Sequence, residues 1–463
     1  RVLVAMASDG VFFEALGRVD ARSGVPRVAV LVGAVLGAGY VLVESFEQLT
    51  EGFVVGMFPF YMLGAVAVVV LRLREPDLPR FDVVIDMIGF APPEIESAIR
   101  AFSGRVGHYL FCSTVDVYQH PHPSGLLPYR EDAPRAGRNQ YAPMQGVLPL
   151  REAIGRKYQA LYGATYDPTT DITVTSGATE ALFDAIIAFV SPGDEVLVIE
   201  PCYDSYVPAI TLAGGRPVFV SLRYPDYAID WDEVRRAITR RTRLMLVNTP
   251  HNPTGTVWSS ADIDGLRSVV DGTDIIVVSD EVYEHIIFDG IEHQSLARYP
   301  DLASRSLVVG SFGKTLHTTG WKIGYAAAPA ALADEFRKVH QFVTFTSNTA
   351  VQYAIADYLA RPETYLGLPA FYQAKRDRFL DLVRTSRFAP IACRGSYFQL
   401  LDYSAITNEG DRAFALRMTA ELGVAAIPTS AFLYRQPAPP VLRFCFAKQD
   451  ETLRKAAERL CRL

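Results

Sequence analysis

Primary amines are scarce in this chain. Of its 45 basic residues 38 are arginine and seven are lysine, and no lysine precedes Lys157. Chemistry that needs an amine therefore has few candidates, and Lys314 has the neighbours best suited to use one. An acid, Asp280, a phenol, Tyr283, and an amide, Asn252, each come shortly after an apolar run, as Lys314 itself does. Farther up the chain the turn Ser176-Gly177-Ala178-Thr179 opens the helical pattern ATEALFDAIIAF. The free backbone N–H groups and dipole of such a helix start make a seat for phosphate. Ser311 and Lys322 add a hydroxyl and a cation. An acid at the base of a cleft can keep a pyridine nitrogen protonated, Asn252 and Tyr283 can hydrogen-bond a phenolic oxygen, and the ring of Tyr203 can stack on a heterocycle. Lys314 supplies the amine for an imine. Together these groups fit pyridoxal 5'-phosphate.

What must position them is a series of short apolar runs separated by helical patterns: DITVTSG, EVLVIEP, RPVFVSL, RLMLVNTP, DIIVVSDE, SLVVGSF and IGYAAAP. Buried strands alternating with helices predict an α/β fold with a mostly parallel sheet covered on both faces. Ligands of open α/β sheets bind at the carboxyl ends of the strands. The polar residues above sit at those ends, so they are expected to converge on one crevice. Taken singly, each has a plainer reading. HNPTG makes a reasonable turn by composition, Asp280 could cap a helix after it, and Lys314 could be a solvated lysine. Arg443, inside the apolar strand VLRFCF, needs a partner; a substrate carboxylate and an internal acid are both candidates. His251, His285 and His317 read as structural.

Composition narrows the class. At 463 residues, 49% apolar and 21% charged, this is a folded chain of about three domains. A net charge of -6 leaves no electrostatic footprint for nucleic acid. Five cysteines (112, 202, 393, 445 and 461), odd in number and never in CxxC, argue against a disulfide framework or zinc site and for a reducing compartment. No metal is expected.

The first 138 residues differ in character. Two apolar runs, Val28 to Val43 and Phe53 to Leu71, are 16 and 19 residues long, against about 20 for a bilayer crossing. Arginines flank the pair, while the connection between them carries three glutamates. That pattern predicts a membrane hairpin across residues 28–71 with both ends cytoplasmic, and so a cytoplasmic location for the remainder of the chain. The opening segment and these spans resemble the late part of an amino acid/polyamine/organocation permease. Two spans cannot enclose a transport site. Residues 81–138 read as strand, helix (93–102) and strand, and CSTVDVY resembles an extended short-chain dehydrogenase or epimerase. No GxGxxG precedes it and no lysine is available for Tyr-x-x-x-Lys, so it is expected to be a nonfunctional Rossmann-like fragment.

From 139 onward the resemblance is plain. NTPHNPTG, SDEVYE and SFGKTLHTTGWKIGY, in that order, look like class I/II, fold-type I aminotransferases that use pyridoxal phosphate. NQYAPMQGVLPLREAI, TVTSGATEAL, EPCYDSYVPAI and VLRFCFAK resemble the methionine and kynurenine branch. The resemblance implies a large cofactor-binding domain (139–345), a smaller α+β domain (346–463) and transfer of an amino group from methionine or an aromatic amino acid to a 2-oxo acid. It implies Lys314 as the lysine that bonds the cofactor, Asp280 as partner of the ring nitrogen, and Asn252 and Tyr283 on the ring hydroxyl. Gly177, Ala178, Thr179, Ser311 and Lys322 would hold phosphate, Tyr203 would stack, and Arg443 would grip the α-carboxylate. Tyr141, of the NQY motif, would reach across a homodimer to the neighbour's phosphate. Relatives carry an amino-terminal arm that closes over the substrate; the dehydrogenase-like fragment stands in its place here, and impaired turnover is the expectation. The chain reads as pieces of three genes joined. A carbon–sulfur lyase sharing the cofactor motifs, a noncatalytic cofactor-binding membrane protein and an artefactual fusion are the alternatives.

Overall fold

The structure, a computed structural model, describes residues 83–86, 108–111 and 140–463 apart from 436. The hairpin expected across 28–71 and the helix expected over 93–102 lie outside the described residues. Among the described residues no helix is long and apolar enough to cross a membrane. Strands β1 (Val83–Asp86) and β2 (His108–Phe111) pair in parallel, Val83 opposite His108 and Asp86 opposite Phe111.

All seven apolar runs form strands, and they share one sheet. They are β3 (Ile172–Thr175), β4 (Glu195–Glu200), β5 (Arg216–Ser221), β6 (Thr242–Asn248), β7 (Ile276–Asp280), β8 (Ser306–Ser311) and β9 (Gly324–Ala327), in the order β3-β9-β8-β7-β6-β4-β5. Only β9 runs against its neighbours, pairing antiparallel with β3 and β8. The runs are continuously apolar because both faces are covered. Leu197, Met245, Val277 and Val308 point into one core, and Val196, Leu244, Val278 and Leu307 into another on the opposite face. Parallel strands need long crossovers, and helices supply them.

Around this sheet lie α1 (Leu148–Tyr162), α2 (Gly177–Phe189), α3 (Tyr206–Leu212), α4 (Trp231–Ala237), α5 (Ser260–Val270), the single turn α6 (Phe312–Thr315) and α7 (Ala330–Val343). Local chemistry sets several of their ends. Asp230 caps α4 by accepting the N–H groups of Asp232 and Glu233, and Ser259 with Asp262 forms a reciprocal capping box on α5. After α8 (Thr349–Leu359) and α9 (Leu368–Val383) comes a second sheet, fully antiparallel, in the order β10-β11-β13-β12. Its strands are β10 (Ala389–Pro390), β11 (Phe398–Asp402), β12 (Ile427–Pro428) and β13 (Val441–Cys445), accompanied by α10 (Asp411–Leu422) and α11 (Asp450–Leu460). Helices and antiparallel strands thus alternate through this region.

Two buried charge clusters lock the elements nearest the sheet's carboxyl edge. Lys157 on α1 pairs with Glu284, just beyond β7, and both side chains are almost wholly buried. Hydroxyls of Tyr162 and Tyr325 also donate to that carboxylate, at 2.6 and 3.2 Å. Burial would raise the Glu284 carboxyl, but the Lys157 charge together with the hydrogen bonds from Lys157 and Tyr162 holds the group down at about 2. On the other side His340 of α7 bonds Glu180 of α2 at 2.7 Å, and Glu180 in turn accepts the N–H of Ser176. Against burial, bonds to Asp184 and Glu180 raise the imidazole to about 9, so it is a cation at neutral pH.

Candidate active site

The carboxyl ends of β3, β6, β7 and β8 surround a cavity of about 480 Å³. Because β9 runs the other way, its amino end opens on the same edge, with Gly324 opposite both Thr175 and Ser311. Gly177, Ala178, Thr179, Tyr203, Asn252, Asp280, Tyr283, Ser311, Lys314, Lys322 and Arg443 all line this one hollow. Tyr141 does not line it; that ring is 64% exposed and meets Phe345 edge-on at 5.7 Å. A larger cavity of about 560 Å³ lies beside Trp258, Pro390 and Arg394, but neither Lys314 nor Asp280 reaches it. The chemistry belongs to the smaller one.

One end of the hollow suits an anion. Helix α2 starts at Gly177, whose φ of +78° is the left-handed conformation that glycine adopts without strain. A Cβ there would stand 3.2 Å from Lys322 Nζ, so the ammonium lies against the helix start. A Cβ on Gly324 would fall 2.5 Å from the backbone nitrogen of Ala178. Glycine at 324 is what lets the first turn of α2 pack down on β9. Lys322 is itself left-handed at φ +53°, an uncommon conformation for a side-chain-bearing residue. Ser311, the last residue of β8, stands at the N-cap position of the lysine-bearing turn without a side-chain capping bond, and Thr179 Oγ1 lies 3.5 Å from the Tyr203 hydroxyl.

At the base of the hollow Asp280 is buried. Its Oδ2 accepts from the Tyr206 hydroxyl at 2.7 Å, and Asn248 Nδ2 donates to its backbone carbonyl at 2.8 Å. The helix-cap reading of Asp280 has only a 3.4 Å contact from the Val282 N–H behind it, so the tyrosine bond dominates. Burial pushes the carboxyl up to about 6, against the pull of Tyr206, the Val282 N–H and Lys314. Burial likewise raises the Tyr283 hydroxyl far above its usual range, so that group stays a phenol.

Lys314 is not a solvated lysine. Its Nζ donates to the Tyr397 hydroxyl at 2.7 Å and lies 5.6 and 5.3 Å from the ring centres of Tyr283 and Tyr397. Arg443 has no acidic partner among the described residues. It donates to Asn252 Oδ1 at 2.6 Å, and its guanidinium lies over the rings of Phe398 and Phe432 at 3.9 and 4.7 Å. Burial lowers its pKa from the usual arginine value. A half-buried guanidinium without a carboxylate is a place for one from outside. His251 and His285, buried and held neutral by that burial, fit the structural reading.

Sequence reasoning missed three contributors: Tyr206, Asn248 and Tyr397. The first two lie within motifs already in view, EPCYDSYVPAI and NTPHNPTG. Tyr397 arrives from the second sheet, just before β11.

This donor set fits pyridoxal phosphate: an anion seat with a cation against it, a buried acid for a ring nitrogen, an amide and a phenol for a hydroxyl, and a lysine. The profile of the aminotransferase class I and II family matches residues 129–460. The chain is a member of that family. Against methionine aminotransferase of Escherichia coli (strain K12) this aminotransferase is 51% identical over 328 residues, covering 71% of this chain and 85% of the relative. With kynurenine–oxoglutarate transaminase 1 of Mus musculus it shares 35% identity, over 70% of this chain and 84% of that one. It superposes on the Escherichia coli crystal structure that identified a methionine aminotransferase function with a TM-score of 0.70 at 50% identity, covering 72% and 88% of the two chains. N-succinyldiaminopimelate aminotransferase from Mycobacterium tuberculosis gives a TM-score of 0.69 at 38% identity, over 72% and 87%. The family's cofactor is pyridoxal phosphate, and the enzyme is a transaminase of the fold-type I class.

Proposed function

We propose that this aminotransferase takes the amino group of methionine or an aromatic amino acid such as kynurenine and passes it to a 2-oxo acid. The observation that carries the reading is the convergence of Lys314, Asp280, Asn252 and Arg443 on one hollow. The named relatives support the substrate class. So does the rest of the wall, where Phe398, Ile427, Ala431 and Phe432 offer apolar surface to a thioether or ring.

The residues divide the work. Gly177, Ala178, Thr179, Ser311 and Lys322 hold the cofactor phosphate, Tyr203 covers the ring, Asp280 keeps the ring nitrogen protonated, and Asn252 and Tyr283 hold its hydroxyl. The bound cofactor supplies the electron sink. Arg443 takes the α-carboxylate and so fixes which bonds of the substrate face Lys314. Lys314 would take the α-proton at Nζ and hold it in the hollow for return. Tyr141 completes a neighbour's phosphate site in a homodimer; its exposure, together with that of Phe345 packed against it, supports an interface there.

A visible spectrum tests this. The protein purified with pyridoxal phosphate is expected to carry an absorption band that methionine bleaches and a 2-oxo acid restores. No band would end the cofactor assignment, and a band unmoved by methionine, kynurenine or phenylalanine would end the substrate assignment.

The readings of the first 138 residues rest on sequence pattern alone: the permease-like segment, the epimerase-like fragment, the lost arm and the hairpin. The family match and the aminotransferase relatives support none of them. For the hairpin the expected result is retention of the chain in the membrane pellet until detergent is added, and release by salt alone would count against it.

A further inference from the structure

We propose that Tyr397 is a positioning residue for the amine of Lys314, holding Nζ in the hollow whenever that amine is free of the cofactor. The proposal rests on the assignment of Lys314 as the cofactor-bonding lysine.

Lys314 and Tyr397 are 83 residues apart in sequence and come from different sheets, yet Nζ meets the hydroxyl at 2.7 Å. The tyrosine also stands edge-on to the Tyr283 ring at 5.2 Å and 88°. Two rings and a hydroxyl therefore enclose one ammonium. Packing alone does not call for that oxygen. The Tyr397 ring already meets Phe398 at 4.7 Å and Tyr372 at 5.9 Å, and phenylalanine would fill the same space.

The backbone delivering the residue has little freedom. Ser396, just before it, is left-handed at φ +65°, where a serine is strained. Its N–H donates to the Ile286 carbonyl at 2.9 Å, which ties the turn to the segment just after Tyr283. The N–H groups of Arg394 and Gly395 both donate to the Gly255 carbonyl, at 2.8 and 2.9 Å, which ties it to the loop of Asn252. Gly395 has no room for a side chain, since a Cβ would fall 2.7 Å from Pro250 and 2.8 Å from Val257. A strained residue held by four such constraints presents one hydroxyl to one amine.

The chemical role comes from donor and acceptor counts. An ammonium has three N–H donors and no acceptor. With one N–H on Tyr397, Lys314 keeps a fixed direction after taking a proton and aims the remaining hydrogens back into the hollow. While Nζ is held against the Tyr397 hydroxyl it is aimed away from other electrophiles, so removing that hydroxyl frees the amine to turn toward one.

Cofactor-free protein gives a readout independent of turnover. After a brief pulse of acetic anhydride, peptide mass spectrometry compares acylation of Lys314 with that of the exposed Lys338 and Lys455. Tyr397→Phe is expected to raise relative labelling of Lys314 by about tenfold, the scale of one hydrogen bond to a charged group. Tyr372→Phe, which removes the hydroxyl bonded to His317 at 2.8 Å, leaves labelling of Lys314 unchanged. In single turnovers of the loaded enzyme with methionine, Tyr397→Phe is expected to lower the rate about tenfold while half-saturation stays within about twofold. Tyr397→Met serves as a second hydroxyl-free variant should the first not fold. Equal labelling of Lys314 in parent and variant overturns the proposal, as does a change confined to half-saturation. Raised labelling with no methionine turnover in either protein upholds it and sinks the substrate assignment instead.

Discussion

Lys314→Ala is expected to abolish transamination, with a loss of about 10⁴-fold or more because both the bonded amine and the proton carrier disappear together. No other lysine can substitute. Of the seven, only Lys314 and Lys322 line the hollow, and Lys322 lies against the helix start rather than toward Asp280. Lys157 is committed to Glu284. The variant should still fold, since a half-buried side chain is trimmed without leaving a buried charge behind. The check is a spectrum and a steady-state assay together. The variant should bind pyridoxal phosphate more weakly, with the free aldehyde's absorption, and the turnover rate with methionine should fall to background. Activity within about tenfold of the parent would remove Lys314 from the reaction.

The second large effect has opposite signs for activity and for stability. Asp280→Asn cannot pair as an anion with a protonated ring nitrogen, and a loss of about 10³-fold in turnover is expected. In the cofactor-free protein the same change should stabilise. Asp280 rises from 3.8 to about 6 on folding because burial penalises the carboxylate. A raised folded pKa means that the folded chain holds a proton the unfolded chain has released. The group's contribution is therefore intact below 3.8 and is lost as pH climbs through 6. Above that the carboxylate costs about 3 kcal/mol, and a neutral amide escapes most of it while still accepting from Tyr206. Cofactor-free Asp280→Asn should thus melt several degrees above the parent at pH 7.5, with the advantage vanishing near pH 4. Equal melting temperatures at pH 7.5 would mean that the acid is not desolvated as described.

The large sheet was legible because its strands are buried on both faces, which writes uninterrupted apolar runs such as EVLVIE and SLVVGS into the sequence. Residues at the ends of those runs, Asp280 and Ser311 among them, inherit their location from the sheet, so the hollow could be anticipated with them. The direction of β9 could not, since hydrogen bonding on either side suits GYAA in both senses. Tyr206 lies three residues after Tyr203, and nothing local tells which of the two hydroxyls meets the acid. Tyr397 depends on how two sheets approach each other, a contact that neither strand encodes. The small strands β10 and β12, two residues each, are too short for any periodicity to mark them.

The bond between Arg443 and Asn252 settles the polarity of the hollow's middle. A guanidinium can only give hydrogens, so the oxygen of that amide must face it, and the amide's other end is left as NH₂. Whatever sits beside Asn252 must then bring a lone pair: an ether, phenol or phenolate oxygen is welcome, an ammonium or alkyl group is not. Aspartate at 252 would present oxygen on both sides and repel such a guest, which makes this near-isosteric exchange a harsher one than its size suggests.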